Sequence, residues 1–239
     1  MRTANLGLQH LLFQLTAHLG NDVVLQRKKV GGTLVEPLTP DVVAARGVDQ
    51  LNIDPHPSLV ALDRAFKRVT LCGLYIHTKR ATQGVGECER VLTVDPSDFA
   101  VVQEEIGRAM MYLGRAEDAE NRVTEGLRVN PSDIGVPYFY VTAGEAALVL
   151  GEDEKAVRWL RGAIERNANQ PLAHFYLAAA LARLDQMDEA RAEMQAGLAL
   201  DPKFSITRAT VYRESDNPTY LAQRDRLIEA LRKAGAPER

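Results

Sequence analysis

The sequence lacks the features that mark membrane, nucleic-acid-binding and disulfide-rich proteins. It contains no run of about 20 apolar residues, so no membrane-spanning helix is predicted. Its net charge of −3 gives no general attraction to nucleic acid or to an anionic membrane. Two cysteines, Cys72 and Cys88, are too few for a disulfide framework or a set of metal ligands. We therefore predict a soluble protein in the reducing cytoplasm.

Signals for catalysis and for bound cofactors are also missing. The five histidines do not fall at spacings that place two ligands on one helix face. Gly84-Val85-Gly86 lacks both the preceding strand and the third glycine of a dinucleotide fingerprint. No local signature supports a nucleophile and base. We predict no catalytic residue, no cofactor and no metal site, and we expect the two cysteines to be neighbouring buried free thiols.

What the sequence does contain is a ladder of small residues that occurs three times. In each copy the residues are spaced 7, 5 and 7 apart, and the copies begin 37 and 34 residues after one another. The ladder positions are Gly107, Gly114, Ala119 and Gly126, then Gly144, Gly151, Ala156 and Ala163, then Ala178, Asp185, Ala190 and Gly197. A period near 34 is typical of antiparallel helix pairs that bury their apolar faces by stacking on their neighbours.

The ladder has a physical reason and sets the unit boundaries. Small residues let helix backbones approach closely where they cross, and Gly114 and Gly151 can adopt the positive φ of the turn inside each pair, where Asp185 is a tolerated substitute. The clear units run over about 97–131, 132–168 and 169–202. A worn unit over 58–96 has Cys72 and Lys79 at ladder positions.

The two ends of the chain do not follow the repeat. Residues 1–57 are predicted to form an irregular helical segment that includes a short amphipathic stretch over 22–30. Residues 203–239 are predicted to form C-terminal capping helices. Asn217 is the expected cap of the last helix, which begins at Pro218 and has one apolar stripe suited to covering the open end of the stack.

The third unit carries a family resemblance. Leu177-Ala178, Asp188-Glu189-Ala190-Arg191 and Ala199-Leu200-Asp201-Pro202 resemble the tetratricopeptide repeat (TPR) family. This resemblance implies an all-α, right-handed superhelix, an α-solenoid of antiparallel helix pairs with a capping helix. Its concave face would be built mainly from the first helix of each unit.

A narrower resemblance extends over most of the chain. Residues 154–160, 201–206, 215–221 and 231–235 resemble the C-terminal TPR region of alphaproteobacterial, notably rhizobial, signalling proteins. In those proteins the repeats follow a class III adenylate/guanylate cyclase domain or a winged-helix domain. This chain is expected to correspond to the repeat half alone, so the resemblance carries over no catalytic residue.

The concave groove is the predicted binding site for a protein or peptide. Aromatic and arginine side chains dominate binding hot spots, which favours Tyr112, Tyr138, Arg108 and Arg183 within the candidate set. For Leu148 and Phe175, packing between helices is an equal alternative. The candidate groove residues are Glu104, Arg108, Met111, Tyr112, Tyr138, Glu145, Phe175 and Arg183.

Three functional hypotheses follow from these patterns. The first is a non-catalytic TPR scaffold for protein–protein interaction in a bacterial regulatory or signalling context. The second is a detached regulatory arm of a class III adenylate/guanylate cyclase-like protein, acting with a catalytic domain in trans. The third is a remnant without a selected function. Neither nucleic acid nor membrane is a predicted partner.

Overall fold

The computed structural model describes residues 29–30, 33–34, 71–94, 99–129, 131, 135–211 and 214–239. Its first elements are β1 (Lys29–Val30) and β2 (Thr33–Leu34), which pair as a short antiparallel ladder. The predicted irregular helical segment over 1–57 is therefore wrong at these four residues, whose backbones pair as strands. The remaining residues of 1–57, apart from these four, lie outside the described part of the chain.

All remaining elements are helices, and they follow one another as antiparallel pairs. They are α1 (described over residues 71–77), α2 (Ala81–Val94), α3 (Phe99–Tyr112), α4 (Ala116–Val129), α5 (Val136–Leu150), α6 (Asp153–Arg166), α7 (Pro171–Arg183), α8 (Met187–Leu200), α9 (Ile206–Val211) and α10 (Pro218–Lys233). Helices α3, α5 and α7 each pack on the helix that follows, and α4 and α6 also pack on the first helix of the next unit. The predicted all-α solenoid of antiparallel helix pairs is confirmed.

The small residues of the ladder lie where helices touch. A Cβ atom added at Gly144 would be 2.5 Å from Cγ of Leu160, and one added at Gly197 would be 2.5 Å from Cε1 of Phe175. Real Cβ atoms do not approach neighbours this closely, so the helix crossings have no room for a larger side chain. The physical reason given for the ladder is therefore confirmed.

The turns inside the helix pairs share one backbone conformation. Gly114 and Gly151 have φ angles of 76° and 85°, and Asp185 has a φ of 59°. At the Gly151 turn, the Gly151 and Glu152 N–H groups donate to carbonyls of the last turn of α5, which satisfies acceptors that the helix end would leave open. Lys79, with a φ of 62°, takes the same place between α1 and α2, so the worn unit keeps this turn.

The two cysteines differ from expectation in one respect. Cys72 on α1 and Cys88 on α2 are neighbours and fully buried, as expected. They are joined as a disulfide with their Cα atoms 5.3 Å apart, so the expectation of free thiols is wrong. The crossing of α1 and α2 brings the two Cα atoms within the separation that a disulfide spans.

The predicted capping helix is present, and its position differs from the expected one. Asn217 caps α10, since its Oδ1 accepts from the N–H groups of Thr219 and Tyr220 at 2.9 and 3.1 Å. The main contacts of α10 are with α5 and α7, the first helices of the second and third clear units. The helix therefore covers the side of the solenoid that its first helices form, rather than the open end beside α8.

Candidate protein-binding face

The first helices α3, α5 and α7 lie side by side and form one surface, which we call the first-helix face. All of the candidate groove residues lie on these helices, but the face is largely covered. Glu104, Met111, Tyr112 and Phe175 are buried. The half-buried members are Arg108, Tyr138, Glu145 and Arg183.

Arg108 is the centre of a polar cluster that joins the first two clear units. Its Nη2 donates to Oε1 of Glu104, one helical turn away, and to Oγ1 of Thr142 on α5 at 3.3 Å. The Thr142 hydroxyl in turn donates to the same Glu104 oxygen. The hydrogen bonds of Thr142 with Arg108 and Glu104 run between α5 and α3, so this cluster helps to fix the two helices against each other.

Two further carboxyl groups of the face titrate near neutral pH. Burial, assisted by the Glu104 charge, raises the pKa of Glu105 to about 7 despite the opposing effect of Arg108. Burial also raises the pKa of Glu145 to about 7, with Arg108 opposing the shift and Glu214 adding to it. The Arg108 guanidinium is therefore the positive charge that opposes the effect of burial on both Glu105 and Glu145. Because it does not offset the loss of solvation, burial favours the neutral form of these carboxyl groups.

Aromatic side chains close this cluster from two sides. The Tyr112 ring makes edge contacts with His77 of α1 and with Tyr220 of α10, with centroid distances of 5.9 and 5.3 Å. Burial, followed by the charge of Arg108, lowers the pKa of His77 to about 3, so this imidazole is neutral. The Tyr220 hydroxyl donates to Glu214 at 2.7 Å. Tyr112 is thus held inside the protein rather than presented to a partner.

At the other end of the face, the candidate residues hold the fold together. The Phe175 ring stacks on Phe204 with a centroid distance of 3.8 Å, and Leu148 is fully buried. Arg183 donates to the Leu148 carbonyl at 3.0 Å and to Asp153 at 3.1 Å. Packing between helices is therefore the role that the structure gives to Phe175 and Leu148.

The apolar stripe of α10 covers the face over α7. Leu227, Ile228 and Leu231 are 2–6% exposed and belong to one apolar cluster with residues of α5 and α7. The residues of the face in that cluster include Leu148, Ala179 and Ala182. Burial of each large aliphatic side chain contributes about 1.5–3 kcal/mol, so this stripe is the main source of attraction between α10 and the face.

Polar groups of α10 contact the turns of the successive units. The Asn217 amide donates to the Leu113 carbonyl at 3.0 Å, and Arg226 donates to the Val149 carbonyl at 3.3 Å. Lys233 pairs with Asp185 at 2.6 Å. Just before the helix, Asp216 pairs at 2.7 Å with Lys79, in the turn between α1 and α2. The segment 216–233 therefore contacts each described helix pair at its turn or in the last turn of its first helix.

Several residues of this site were not among the predicted groove residues. Glu105 and Thr142 belong to the polar cluster, and Glu214 and Tyr220 close it from the C-terminal segment. The apolar stripe of α10 was visible in the sequence, but nothing there indicated which surface it would meet. Within the described residues, no group of three or more histidine, cysteine or acidic side chains could hold a metal ion. None of the described helices has the length and apolarity needed to cross a membrane.

Comparisons with known proteins bear on the fold. No protein-family model and no curated protein sequence matches this chain. The solved structure "MamA RS-1 ArsTM double mutant" matches with a TM-score of 0.50 and 16% identity, over 71% of this chain and 96% of that chain. "Crystal structure of YrrB: a TPR protein with an unusual peptide-binding site" matches with a TM-score of 0.47 and 20% identity, over 75% of this chain and 91% of that chain. At these identities the likeness extends to the fold alone, a stack of antiparallel helix pairs.

Proposed function

We propose that this protein is a non-catalytic scaffold that binds a helix of a protein partner on the first-helix face. The observation that supports this function most strongly is that the face already holds a helix, α10. Helix recognition in a groove relies on anchors spaced along one side of the bound helix. In α10 the buried residues Tyr220, Leu227 and Leu231 have that arrangement.

The finer parts of the functional hypothesis rest on sequence resemblance. A bacterial regulatory or signalling context and a cytoplasmic location stay predictions, and so does the alternative of a detached cyclase arm. The similarity to TPR-like structures is compatible with each of them. The Cys72–Cys88 disulfide is a bond that the cytoplasm ordinarily keeps reduced, so thiol alkylation in intact cells is a direct test of the location.

The function is tested by capturing a partner and mapping its position. Photoreactive analogues of leucine and methionine, residues that occur in all of the helices α3 to α8, are incorporated into the tagged protein in cells of the source organism. The cells are irradiated, and cross-linked peptides are identified by mass spectrometry. We expect an enriched protein whose cross-links fall on α3, α5, α7 or the segment beside them. Capture by the variant Tyr138→Ala, which removes a half-buried aromatic side chain of the face, is expected to fall at least tenfold.

A matched control variant removes an exposed pair on the opposite side of the molecule. Arg161 and Glu189 pair at 2.8 Å between the second helices α6 and α8, and both are exposed. The variant Arg161→Ala with Glu189→Ala should retain full capture. Cross-links confined to α4, α6 and α8, or no enriched protein at all, would refute the proposal even if the first variant were to unfold.

A further inference from the structure

The last helix of the chain occupies the place where the proposed function puts the partner, so this inference rests on that function. We propose that α10 is an exchangeable intramolecular ligand. A partner binds by displacing α10, and it does so with an amphipathic helix that reproduces the contacts of α10 on the first-helix face. The partner's helix is thereby characterised by its chemistry: a capping side chain, an aromatic residue, spaced leucines and terminal basic residues.

α10 has the local signals of a helix that can form without the face. Asn217 satisfies two backbone N–H groups of the first turn, and Pro218 follows at the position where a missing N–H does no harm. Arg232 and Lys233 complement the helix dipole in the last turn. Gly235, with a φ of 97°, closes the helix through hydrogen bonds back to the last turn. The residues that begin and end α10 therefore all lie within 217–236.

The contacts of α10 on the face are of a kind that another helix can supply. Asn217 and Arg226 bond to backbone carbonyls, those of Leu113 and Val149, which exist whatever the side chains are. The remaining attraction comes from an apolar stripe against apolar residues of α5 and α7. A partner helix with the same pattern would replace each contact of α10 with one of the same kind. The first-helix face would then stay covered during the displacement.

Contacts outside α10 keep the displaced helix close to the face. The N–H groups of Ile206 and Thr207 at the start of α9 donate to the carbonyls of Pro237 and Glu238, at 2.8 and 3.0 Å. These bonds attach the chain beyond α10 to the short helix before it. Tethered at both ends, α10 rebinds at a high effective concentration and competes with any ligand added from solution.

The fit between α10 and the turn of the first clear unit is close. A Cβ atom added at Gly114 would lie 2.5 Å from Oδ1 of Asn217. Gly114 is therefore required for its positive φ and also for the approach of the α10 cap. The turn at Gly151 has a similar φ, but its nearest side-chain atom is a nitrogen of Arg183 at 3.4 Å. The capping end of α10 is thus recognised by shape at one particular turn.

The test uses a fluorescein-labelled synthetic peptide of residues 214–235 and full-length protein. In the variant Tyr220→Ala with Leu227→Ala, the internal α10 is weakened and the first-helix face is unchanged. We expect this variant to bind the peptide at least tenfold more tightly than the wild-type protein, as measured by fluorescence anisotropy. The control variant Ala222→Ser with Asp225→Ala changes exposed positions of α10 and should behave as the wild type does.

Several outcomes would overturn the inference. One is equal, weak peptide binding by wild type and variant while the variant keeps its helical circular dichroism. Another is equal binding of a peptide that carries the same two alanines, because recognition would then not use the stripe. If the variant does not fold, hydrogen exchange of the wild-type protein decides: we expect α10 amides to exchange at least tenfold faster than those of α7, and equal rates would refute exchangeability.

The result separates this inference from the proposed function. Peptide binding by the variant together with failure to capture a partner would remove the proposed function and leave α10 as a self-ligand. A partner cross-linked to the first-helix face that binds wild type and variant equally well would support the function and refute displacement. A wild-type dimer in which α10 is exchanged between copies, seen by light scattering and mixed-isotope cross-linking, would also refute it.

Discussion

The two ends of α10 contact the first-helix face by different means. At the amino-terminal end, Asn217 and Tyr220 meet a turn carbonyl and the Tyr112 ring, close to the polar cluster of Arg108. At the carboxyl-terminal end, Leu227 and Leu231 enter an apolar cluster with almost no exposure. The comparison teaches that the apolar end supplies most of the free energy of attachment, while the polar end determines where the helix sits.

This division has a simple physical cause. Apolar burial is nearly non-directional, so a leucine stripe can shift along an alanine-rich surface at little cost. Hydrogen bonds to particular carbonyls depend on distance and angle, and they fail after a small displacement. The Asn217 amide at 3.0 Å from the Leu113 carbonyl is therefore a better indicator of register than the stripe is.

The largest effect is expected at the apolar end. Leu231→Ala removes a side chain that is 2% exposed and should lower the free energy of unfolding by about 2–5 kcal/mol, because a cavity is added to the lost burial. Urea denaturation followed by circular dichroism measures it. Leu200→Ala, at a leucine that is 39% exposed, should change stability by less than about 1 kcal/mol. Equal losses of stability in the two variants would refute the claim that the apolar end of α10 supplies most of the free energy of attachment.

A second prediction concerns the close contact between α7 and α8 at Gly197, below the apolar end of α10. Gly197→Ala would place a Cβ 2.5 Å from the buried Phe175 ring, itself stacked on Phe204, and should destabilise the protein by about 1–3 kcal/mol. Gly86→Ala is the matched change, because its Cβ would meet nothing within 4 Å, and it should be stabilising by about 0.5–1 kcal/mol. Thermal unfolding of both variants measures whether the two changes in stability have opposite signs. Destabilisation by both substitutions would contradict close nesting of the helices.

At the polar end, substitutions at two glycine turns distinguish the cost of backbone strain from the cost of losing the contact with α10. Gly114→Ala and Gly151→Ala both force a left-handed alanine, at about 1–2 kcal/mol each. Only the first substitution also displaces Asn217 and weakens the cap of α10, which is worth about 1 kcal/mol. We expect Gly114→Ala to be the more destabilising by about that amount in chemical denaturation. Equal losses would show that α10 does not rely on this turn.

The smallest predicted effect is a pH dependence of the polar cluster. Glu145 has a pKa of about 7 in the folded protein against about 4.5 when unfolded, so the folded state holds the proton more tightly. Its contribution to stability is complete below pH 4.5 and is lost as the pH rises through 7. Raising the pH from 6 to 8 should therefore lower stability by about 1 kcal/mol for this group, after allowance for its partial exposure.

The pH prediction is checked by comparing two substitutions. Glu145→Gln should flatten the dependence between pH 6 and 8, leaving the part due to Glu105. Glu165→Gln changes an exposed carboxyl on α6 and should leave the dependence unchanged. His77 acts in the opposite direction in this window, because its pKa is about 3 in the folded protein and about 6.5 when unfolded, so raising the pH from 6 to 8 adds roughly 0.8 kcal/mol of stability. The contribution of Glu145 is therefore taken from the difference between variant and wild type, in which the His77 contribution cancels. A steeper slope in the Glu145 variant would contradict the assignment.

The repeat itself was predictable because its causes are local. Small residues at fixed spacing are needed wherever two helices cross, and a left-handed residue is needed wherever a pair turns. The sequence positions of Gly114, Gly151 and Asp185 are therefore enough to locate the turns. Even Lys79, a residue with no preference for positive φ, could be placed at its turn by counting the period.

The site was predictable only in part because its causes are not local. The first-helix position of residues such as Tyr112 follows from the register, but their burial follows from a helix that begins more than a hundred residues later. The contact of Asn217 with the Leu113 carbonyl spans 104 positions, and no periodicity encodes it. An apolar stripe shows that a helix is buried without showing against what. The carboxyl pKa values near 7 depend in turn on that burial.

The most direct test of the position of α10 is zero-length carbodiimide cross-linking of the wild-type protein. Lys79 pairs with Asp216 at 2.7 Å and Lys233 with Asp185 at 2.6 Å, so one short segment should be linked to the first and to the last turn of the solenoid. We expect both amide cross-links within a monomer, identified by mass spectrometry. Absence of both links, or their presence only between two copies, would contradict the assignment of α10 to the first-helix face.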